Sequence, residues 1–313
     1  MLPLAKLRAR LQFPGPVSFP YWMGNTFRGG TGVHLRRACC PSLDRDCYSC
    51  DISNECIFYF THMKKGSVVG YADPPKPVVL IPPFFGKSFT VEEGGHLDVD
   101  ILLFGKFIKY LPHVTLGLSM LGQSGIGSER RYDVNKFNVA EITCALSGQR
   151  VYDGNTINVE AMKVIDIMDY ANDYTLPNNY LSVGFDKPMV LKTGTFPPSL
   201  DKLIDMARQR LILYVNEYGD GSKIPDFQCT AWTKSSSMHF HKLKRASQRA
   251  GKGEIHAYTG TAQYTIGSID DQAKKLLKIG ELIGAGPKPS FGLGFYKMIN
   301  NTSPSMASTN QNT

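Results

Sequence analysis

The stretch Leu282-Ile-Gly-Ala-Gly-Pro-Lys-Pro-Ser-Phe-Gly-Leu-Gly-Phe295 joins two segments of different character. Before it, apolar residues recur at helical spacing with lysines on the opposite side, which predicts an amphipathic helix over residues 270–283. Towards its end, the apolar run 291–299 predicts a strand. A dinucleotide fingerprint and a P-loop both need the reverse order, strand then loop then helix, because phosphate binds at the helix N-terminus. The order found here excludes both motifs.

The loop itself is rich in residues without side chains. Its glycines are Gly284, Gly286, Gly292 and Gly294, and one cation, Lys288, lies between the two pairs. A backbone without side chains lets an extended anionic ligand lie directly against main-chain amides, and this is our first hypothesis for the loop. The alternative is that the glycines serve only a tight turn.

Length and charge indicate a two-domain protein that binds a polyanion. The chain has 313 residues and a formal net charge of +8. That length is enough for two domains, each with its own core. No acidic residue occurs between Asp226 and Glu254, whereas six basic residues do: Lys234, Lys242, Lys244, Arg245, Arg249 and Lys252. This run favours a polyanion-binding surface, with an ordinary solvated face as the alternative.

Compartment is indicated by what the sequence lacks. No segment is apolar for long enough to span a bilayer, and the N-terminus has no apolar core followed by a small-residue cleavage site. Seven cysteines, four of them crowded into one loop, do not fit a secreted disulfide scaffold in a chain of this size. We therefore expect a cytoplasmic protein with no membrane partner and no small-molecule substrate.

The predicted elements repeat once along the chain. Each half has the order strand, helix, strand, strand, helix, strand, which predicts an α+β protein of two tandem ferredoxin-like (RRM-like, βαββαβ) domains. The predicted domains are 1–150, with a cysteine loop at 39–56, and 180–300, with the glycine-rich loop at 284–294. Residues 151–179 are predicted to connect them, and the polar tail 301–313 is predicted to be disordered. Paired domains of this kind resemble sheet-based RNA binders.

Four cysteines in the first half have metal-ligand spacing. Cys40, Cys47, Cys50 and Cys56 form C-x6-C-x2-C-x5-C, and Cys39 is left over. Four thiolates this close can hold a tetrahedral zinc ion or a 4Fe-4S cluster, and both remain open. The spacing matches the iron–sulfur loop of helix-hairpin-helix DNA glycosylases, so a metal-cluster protein of DNA repair is a third functional alternative. Free thiols in a reducing cytoplasm are the metal-free alternative.

Three patches together resemble a known family. They are residues 27–37 followed by the cysteine loop, residues 117–127 with Arg130 and Arg131, and the terminal glycine loop. These resemble the CRISPR-associated endoribonuclease family that cuts precursor CRISPR RNA within each repeat, a branch of the RAMP superfamily. Where many relatives carry a His-Ile-Gly-Lys-type sequence at the start of the glycine loop, this chain has Leu282-Ile-Gly-Ala-Gly286.

The resemblance implies a metal-independent cut. The ribose 2′-hydroxyl attacks the adjacent phosphate and leaves a 2′,3′-cyclic phosphate and a free 5′-hydroxyl. Any metal at the cysteine loop would then be structural, holding the loop after the first helix. The partners implied are a precursor CRISPR RNA repeat and subunits of a CRISPR effector complex. An inactive RAMP-type RNA-binding subunit of such a complex is the alternative function.

This reaction needs a base for the 2′-hydroxyl proton, a cation for the charge of the phosphorane and an acid for the leaving oxygen. Histidine suits the roles of base and acid. His34 is the first candidate, because it falls in the predicted first helix, where family members often place a histidine. Three arginines lie near it in the sequence: Arg28, Arg36 and Arg37. The alternative is that His34 is a helix residue packed against the cysteine loop.

His239 and His241 form a second candidate pair. They alternate in a strand-like stretch and so project to one face, with Lys242 and Arg245 expected nearby. Ordinary contacts with phosphate or solvent are the alternative. For RNA binding we expect phosphate contacts from the glycine-loop amides and the following cations: Arg28, Arg36, Arg37, Lys242, Lys244, Arg245, Arg249 and Lys288.

Overall fold

Two antiparallel sheets, one from each half of the chain, carry the fold. The computed structural model describes residues 1–66, 74–126, 135–176, 179–247 and 251–299. The predicted RNA contact Arg249, the patch residues Arg130 and Arg131, and the tail 301–313 lie outside these ranges. Within them, no helix has the length and apolar character needed to cross a membrane.

The first half forms a six-stranded sheet with two helices and a small two-stranded pair. Its elements are β1 Pro3–Gln12, β2 Val17–Phe19, α1 Gly24–Cys39, β3 Val78–Ile81, β4 Phe89–Val91, β5 His96–Phe104, α2 Leu111–Ser124, β6 Asn138–Cys144, β7 Arg150–Tyr152 and β8 Val164–Asp166. The main sheet runs β3-β5-β1-β6-β7, β8 also pairs with β1, and β2 pairs with β4. Part of the predicted connecting segment thus belongs to the first sheet.

Strand β1 places an apolar core on one face of this sheet and ion pairs on part of the other. Its residues Ala5, Leu7 and Leu11 are buried in the core that α1 and α2 complete. Side chains alternate along a strand, so the residues between them point to the other face. There Arg8 and Arg10 pair with carboxylates of the neighbouring strands β5 and β6.

The second half forms a four-stranded sheet with two helices. Its elements are β9 Tyr180–Met189, α3 Leu200–Tyr218, β10 Cys229–Ser247, β11 Gly251–Ile269, α4 Asp271–Ile283 and β12 Lys297–Ile299. The strand order is β10-β11-β9-β12. In each half, the main sheet has one strand before the first helix, two between the helices and one directly after the second helix, and these four have the same spatial order, because β3-β5-β1-β6 corresponds to β10-β11-β9-β12.

The hairpin β10–β11 is longer than predicted. In the sequence, the apolar residues of 227–232 and 254–266 predict two short strands on either side of a basic segment. The structure instead has two strands of 19 residues each, paired from Cys229 with Ile269 to Ser247 with Gly251. The basic segment is therefore part of a strand. Much of this hairpin is exposed on both faces, so its residues are mostly polar and show no alternation of apolar and polar residues that would predict a strand.

One apolar core is shared by the two halves. It contains Leu4 and Phe104 of the first sheet together with Leu203 and Tyr214 of α3. The rings of Phe104 and Tyr214 stack with centroids 3.9 Å apart, and the Tyr214 hydroxyl donates to the carbonyl of Lys76. Burial across this junction ties the two sheets together.

Candidate functional site

The start of α1, the glycine loop and the β10–β11 hairpin meet around Phe291. Gly24 touches the backbone of Phe291 so closely that a side chain there would collide with its carbonyl oxygen. The guanidinium of Arg28 lies 4.6 Å from the Phe291 ring centroid, and that of Arg245 lies 5.9 Å from it. An aromatic ring attracts cations to its face. The fold thus brings one guanidinium from each half of the chain to the same place, which we call the arginine pair.

Tyr21 holds the hairpin against the segment that leads into α1. Its hydroxyl donates to the carbonyl of Lys242 and accepts from the amide of Lys244, 3.2 Å away. Beneath it, Trp22, Phe291 and Leu243 share a small apolar cluster. These contacts fix the strand that carries Arg245.

His241 lies on the same face of β10 as Arg245. Its Nε2 is 2.7 Å from the Thr259 hydroxyl, and its ring meets Phe84 edge to face at 4.9 Å. Burial, and to a lesser extent the neighbouring His239, lowers the pKa of His241 below the ordinary value of 6.5. The imidazole is therefore neutral near pH 7 and able to accept a proton. His239 projects from the same face and is exposed.

The two lysines of this segment point the other way. Alternation along β10 places Lys242 and Lys244 on the face opposite His241 and Arg245, and both lysines are exposed. The expectation that Lys242 and Arg245 both flank the histidines is therefore wrong for Lys242. The two lysines stay candidates for phosphate contact on the opposite face.

His34 lies in the interface between α1 and α2. It is only 7% exposed, and Gly30, one helical turn earlier, packs against Leu121 of α2. Residues six apart on a helix are about 120° apart around its axis, so His34 and Arg28 face different neighbours. Nδ1 of His34 is buried without a hydrogen-bond partner, and burial, then Arg37, lowers the pKa of His34. The structure does not bring His34 to the arginine pair.

The other two arginines of α1 have different surroundings. Arg36 donates to the carbonyls of Leu43 (2.8 Å) and Arg45 (3.3 Å), so its guanidinium is held by the cysteine loop. Arg37 is exposed. Of the three predicted RNA-binding arginines in this helix, Arg28 is the one that reaches Phe291.

The glycine loop is a packed turn. Gly284, Gly292 and Gly294 are buried, with positive φ angles of 79°, 72° and 82°. Their amides are taken by carbonyls: Gly284 donates to Gly280 at 2.7 Å, Gly292 to Pro289 at 2.8 Å and Gly294 to Pro188 at 2.9 Å. The hypothesis that these glycines present open amides to an anionic ligand is therefore wrong, and the tight-turn alternative holds for them. Gly292 and Gly294, with their positive φ angles, fall in the first part of the predicted strand 291–299, and the strand therefore covers only Lys297–Ile299.

Two residues of the glycine loop remain accessible to solvent. Gly286 is half-buried, and Lys288 is exposed in the left-handed region at φ 63° and ψ 41°. Lys288 therefore stays a candidate for a phosphate contact.

Two functional candidates were missed from the sequence. Lys187 of β9 is half-buried and donates to the carbonyl of Pro82 at 3.0 Å, and burial lowers its pKa to about 8. His62 bonds the carbonyl of Arg28 through Nε2 at 3.2 Å and meets the Thr61 hydroxyl through Nδ1 at 2.7 Å. Neither residue belongs to a motif or a regular spacing of functional residues in the sequence, so no local signal could have identified it.

The four predicted cysteine ligands line one pocket. Cys40, Cys47, Cys50 and Cys56 all border it, together with apolar atoms of Ile52 and the nearby aromatic residues. The thiols of Cys39 and Cys56 share a hydrogen bond, which lowers the pKa of Cys56 and raises that of Cys39. In the ranges that the structure covers, no three His, Cys, Asp or Glu side chains are arranged to hold a single metal ion.

Solved Cas6 structures share this fold. A Cas6 product complex matches with a TM-score of 0.53 at 14% identity, covering 94% of this chain and 99% of that one. A Thermus thermophilus Cas6 matches with a TM-score of 0.50 at 14% identity, covering 95% of this chain and 99% of that one. The protein therefore belongs to the class with the Cas6 fold.

Sequence comparison places the chain within a particular family. An uncharacterized protein of Archaeoglobus fulgidus is 40% identical over 297 residues, which is 95% of this chain and 98% of that protein. The AF_1859 N-terminal domain matches residues 2–164, and the AF_1859 C-terminal domain matches residues 181–298. The chain belongs to the AF_1859 family.

Proposed function

We propose that this protein is an endoribonuclease that cuts precursor CRISPR RNA within its repeats, without a metal ion in the cleavage step. The observation that carries the proposal is the arginine pair, Arg28 and Arg245 at Phe291, on the same face of the hairpin as a neutral histidine. The fold likeness to Cas6 structures supports the substrate class. We also assign each half to the ferredoxin-like class, an assignment supported by the matching strand orders.

The proposed reaction is an internal displacement at phosphorus. The 2′-oxygen forms a bond to the adjacent phosphate while the bond from phosphorus to the 5′-oxygen breaks, leaving a 2′,3′-cyclic phosphate. The neutral His241 takes the 2′-hydroxyl proton, and His239 gives a proton to the departing 5′-oxygen. Residues two apart on a strand are separated by about 7 Å, enough to place a phosphorane between the two imidazoles. The arginine pair lies about 13 Å along β10 from His241, where it holds a neighbouring phosphate of the bound RNA.

Cleavage of a repeat RNA in EDTA tests the proposal. We expect a product ending in a cyclic phosphate, and no product when the nucleotide before the cut lacks its 2′-hydroxyl. His241→Ala and His239→Ala should each slow single-turnover cleavage by about 100-fold or more. His96→Ala is the matched control, since His96 is exposed at the start of β5. Full activity of both hairpin variants together with loss in His34→Ala would move the base to His34.

One observation favours a second candidate function. His34, the histidine that the family resemblance points to, is 7% exposed at the contact between α1 and α2 and lies on a different side of α1 from Arg28. A chain without a working base would act as a RAMP-type RNA-binding subunit of a CRISPR effector complex. Tight binding of repeat RNA with no cleavage under any metal condition would establish this second function and reject the nuclease. Preferred binding of duplex DNA would reject both.

A further inference from the structure

The cysteine loop has a feature that RNA cleavage does not use. Cys40 follows the last turn of α1, Cys47 and Cys50 lie in the middle of the loop, and Cys56 precedes the short π-helix Tyr59–Met63. These cysteines from separate parts of the loop border one pocket. All of them are free thiols rather than disulfides. A loop of mostly polar residues gains little from collecting thiols unless they bind something, because a buried thiol is only a small apolar group.

The surroundings of the pocket suit a thiolate-bound centre. Ile52, Phe58 and Tyr59 cover it with apolar atoms. The guanidinium of Arg36 is held over the same loop by two backbone carbonyls. Four thiolates around a metal centre carry net negative charge, and a fixed guanidinium beside them offsets part of it.

Spacing and geometry distinguish a cluster from a single ion. A tetrahedral zinc ion with Zn–S bonds of about 2.3 Å needs its four sulfurs within about 4 Å of one another. A cubane binds each thiolate on its own iron and so holds the sulfurs farther apart, around a shared pocket. The spacing C-x6-C-x2-C-x5-C is that of a known iron–sulfur loop. We propose that Cys40, Cys47, Cys50 and Cys56 ligate one 4Fe-4S cluster.

The cluster would have a structural role that reaches the arginine pair. Cys56 leads directly into the π-helix, whose His62 lies against Gly32 and bonds the carbonyl of Arg28. A cluster ligated at both ends of the loop would thus join the end of α1 to the segment that supports Arg28.

The test is chemical analysis of the full-length chain purified without oxygen. We expect brown protein with about four iron and four sulfide ions per chain, and visible absorbance that bleaches on reduction. Cys47→Ser and Cys50→Ser should each lose most of the iron, whereas Cys229→Ser, which changes a free thiol on β10 in the other half of the chain, should retain it. If the ligand variants fail to fold, the iron and sulfide content of the unaltered chain still decides the matter.

Other results would overturn the assignment. Colourless protein with one zinc ion per chain would replace the cluster with a single ion, and protein without metal after anaerobic reconstitution would remove the site. Loss of iron in Cys39→Ser with retention in Cys40→Ser would show that the ligand set is wrong.

A different surface carries a second inference, on the outer face of the second sheet. Trp232 is 59% exposed and Tyr180 is 56% exposed. Both are register partners of Thr265, so they share the face that α3 and α4 leave open. A side chain at Gly267 would lie 2.8 Å from the Trp232 ring, so this glycine lets the indole lie flat on the sheet. The ammonium of Lys234 lies 5.0 Å from the Tyr180 ring centroid.

We infer that this face binds a single-stranded stretch of RNA next to the repeat, an inference that rests on the proposed function. Exposed aromatic rings on an open sheet stack on unpaired bases, and a cation beside them meets the phosphates. Strands are about 4.8 Å apart, so the two rings stand roughly 10 Å apart and can take separate bases of one strand. The absence of acidic residues between Asp226 and Glu254 fits an anionic ligand.

A binding assay with a repeat RNA that carries a single-stranded extension tests this surface. A 2′-deoxy nucleotide at the cut makes the RNA uncleavable. Trp232→Ala and Tyr180→Ala should each weaken binding of this RNA by about tenfold. For a repeat without the extension, the variants and the unaltered chain should bind with equal affinity. Phe240→Ala is the control, because Phe240 is exposed on the opposite face of the same hairpin. Equal affinity of the variants and the unaltered chain would overturn the platform alone, whereas a chain that binds no RNA would overturn the proposed function.

Discussion

Arg210 is a buried charge on which the glycine loop depends. It is 4% exposed, and burial lowers its pKa to about 10, so it stays charged at neutral pH. Its guanidinium donates to the carbonyls of Ile283 (2.7 Å) and Ala285 (3.0 Å), and also to Gly286. The last carbonyls of a helix have no partner within the helix. Arg210 therefore adds to the Gly284–Gly280 cap of α4 by binding the Ile283 carbonyl, and it sets the path of the loop.

Replacing Arg210 should destabilise the protein strongly. Arg210→Met leaves three carbonyls without their donor, and we expect a loss of about 3 kcal/mol or more in the free energy of unfolding. Arg210→Lys keeps the charge but not the planar fork, so an intermediate loss is expected. Urea denaturation of the three proteins measures both values. A loss below about 1 kcal/mol in Arg210→Met would show that the loop keeps its path without this side chain.

The lowered pKa of His241 predicts the pH dependence of cleavage. A general base works in its neutral form, so the rate should rise with pH through the pKa of His241, while the general acid of the same step gives the profile a falling limb at higher pH. Because burial lowers this pKa, the midpoint of the acid limb should lie below the ordinary value of 6.5. Single-turnover rates from pH 5 to pH 8 measure it. A midpoint above 7 would contradict the assignment of His241 as the base.

At the level of elements, the α1–α2 pair carries buried polar groups without partners. The hydroxyls of Thr31 and Thr115 and Nδ1 of His34 are buried with no hydrogen bond. Each such group loses hydration on folding and regains nothing, at a cost of about 1–3 kcal/mol. The helices nevertheless pack closely, because Gly117 of α2 lies against Thr31 and Leu35 of α1.

Removing one of these hydroxyls should therefore stabilise the protein. Thr115→Val keeps the shape and deletes the unpartnered group, and we expect a gain of about 1 kcal/mol in unfolding free energy. Thr61→Val is the matched control, because the buried Thr61 hydroxyl donates to the carbonyl of Ile57 at 2.7 Å. That variant should lose about 1 kcal/mol. Chemical denaturation of both gives the comparison, and destabilisation by Thr115→Val would contradict the account of this interface.

For the whole molecule, the shared core predicts one cooperative unfolding transition. The stacked rings of Phe104 and Tyr214 belong to different halves, so neither half can lose its packing without exposing the core of the other. The chain has two tryptophans, Trp22 in the first half and Trp232 in the second. Trp22→Phe and Trp232→Phe thus leave one fluorescent reporter in each half, and their melting curves should coincide.

Phe104→Ala should shift both curves together. Removing this ring from a shared core is expected to cost about 3–5 kcal/mol. Phe85→Ala is the control, since Phe85 is 48% exposed and should leave both midpoints nearly unchanged. Two separate transitions in either tryptophan variant would show that the halves unfold independently.

Much of the element order could be read from neighbouring residues. The alternating apolar residues of 4–13 predict a strand, and the structure has Pro3–Gln12; the helix predicted over 270–283 is Asp271–Ile283. Both have one apolar side and one polar side, so their periodicity is strong. The hairpin strands were predicted too short, because an exposed strand has no apolar side to reveal it.

Residue types and local periodicity were enough to indicate two similar α+β halves, a basic surface and a set of clustered cysteines. The packing between distant segments determined the site. It buried His34 against α2, assigned Arg36 to the cysteine loop and used the glycines for an internal turn. It also brought Arg28 and Arg245, more than two hundred positions apart, to one ring. Periodicity tells which side of an element is apolar, but only the three-dimensional arrangement tells what that side meets.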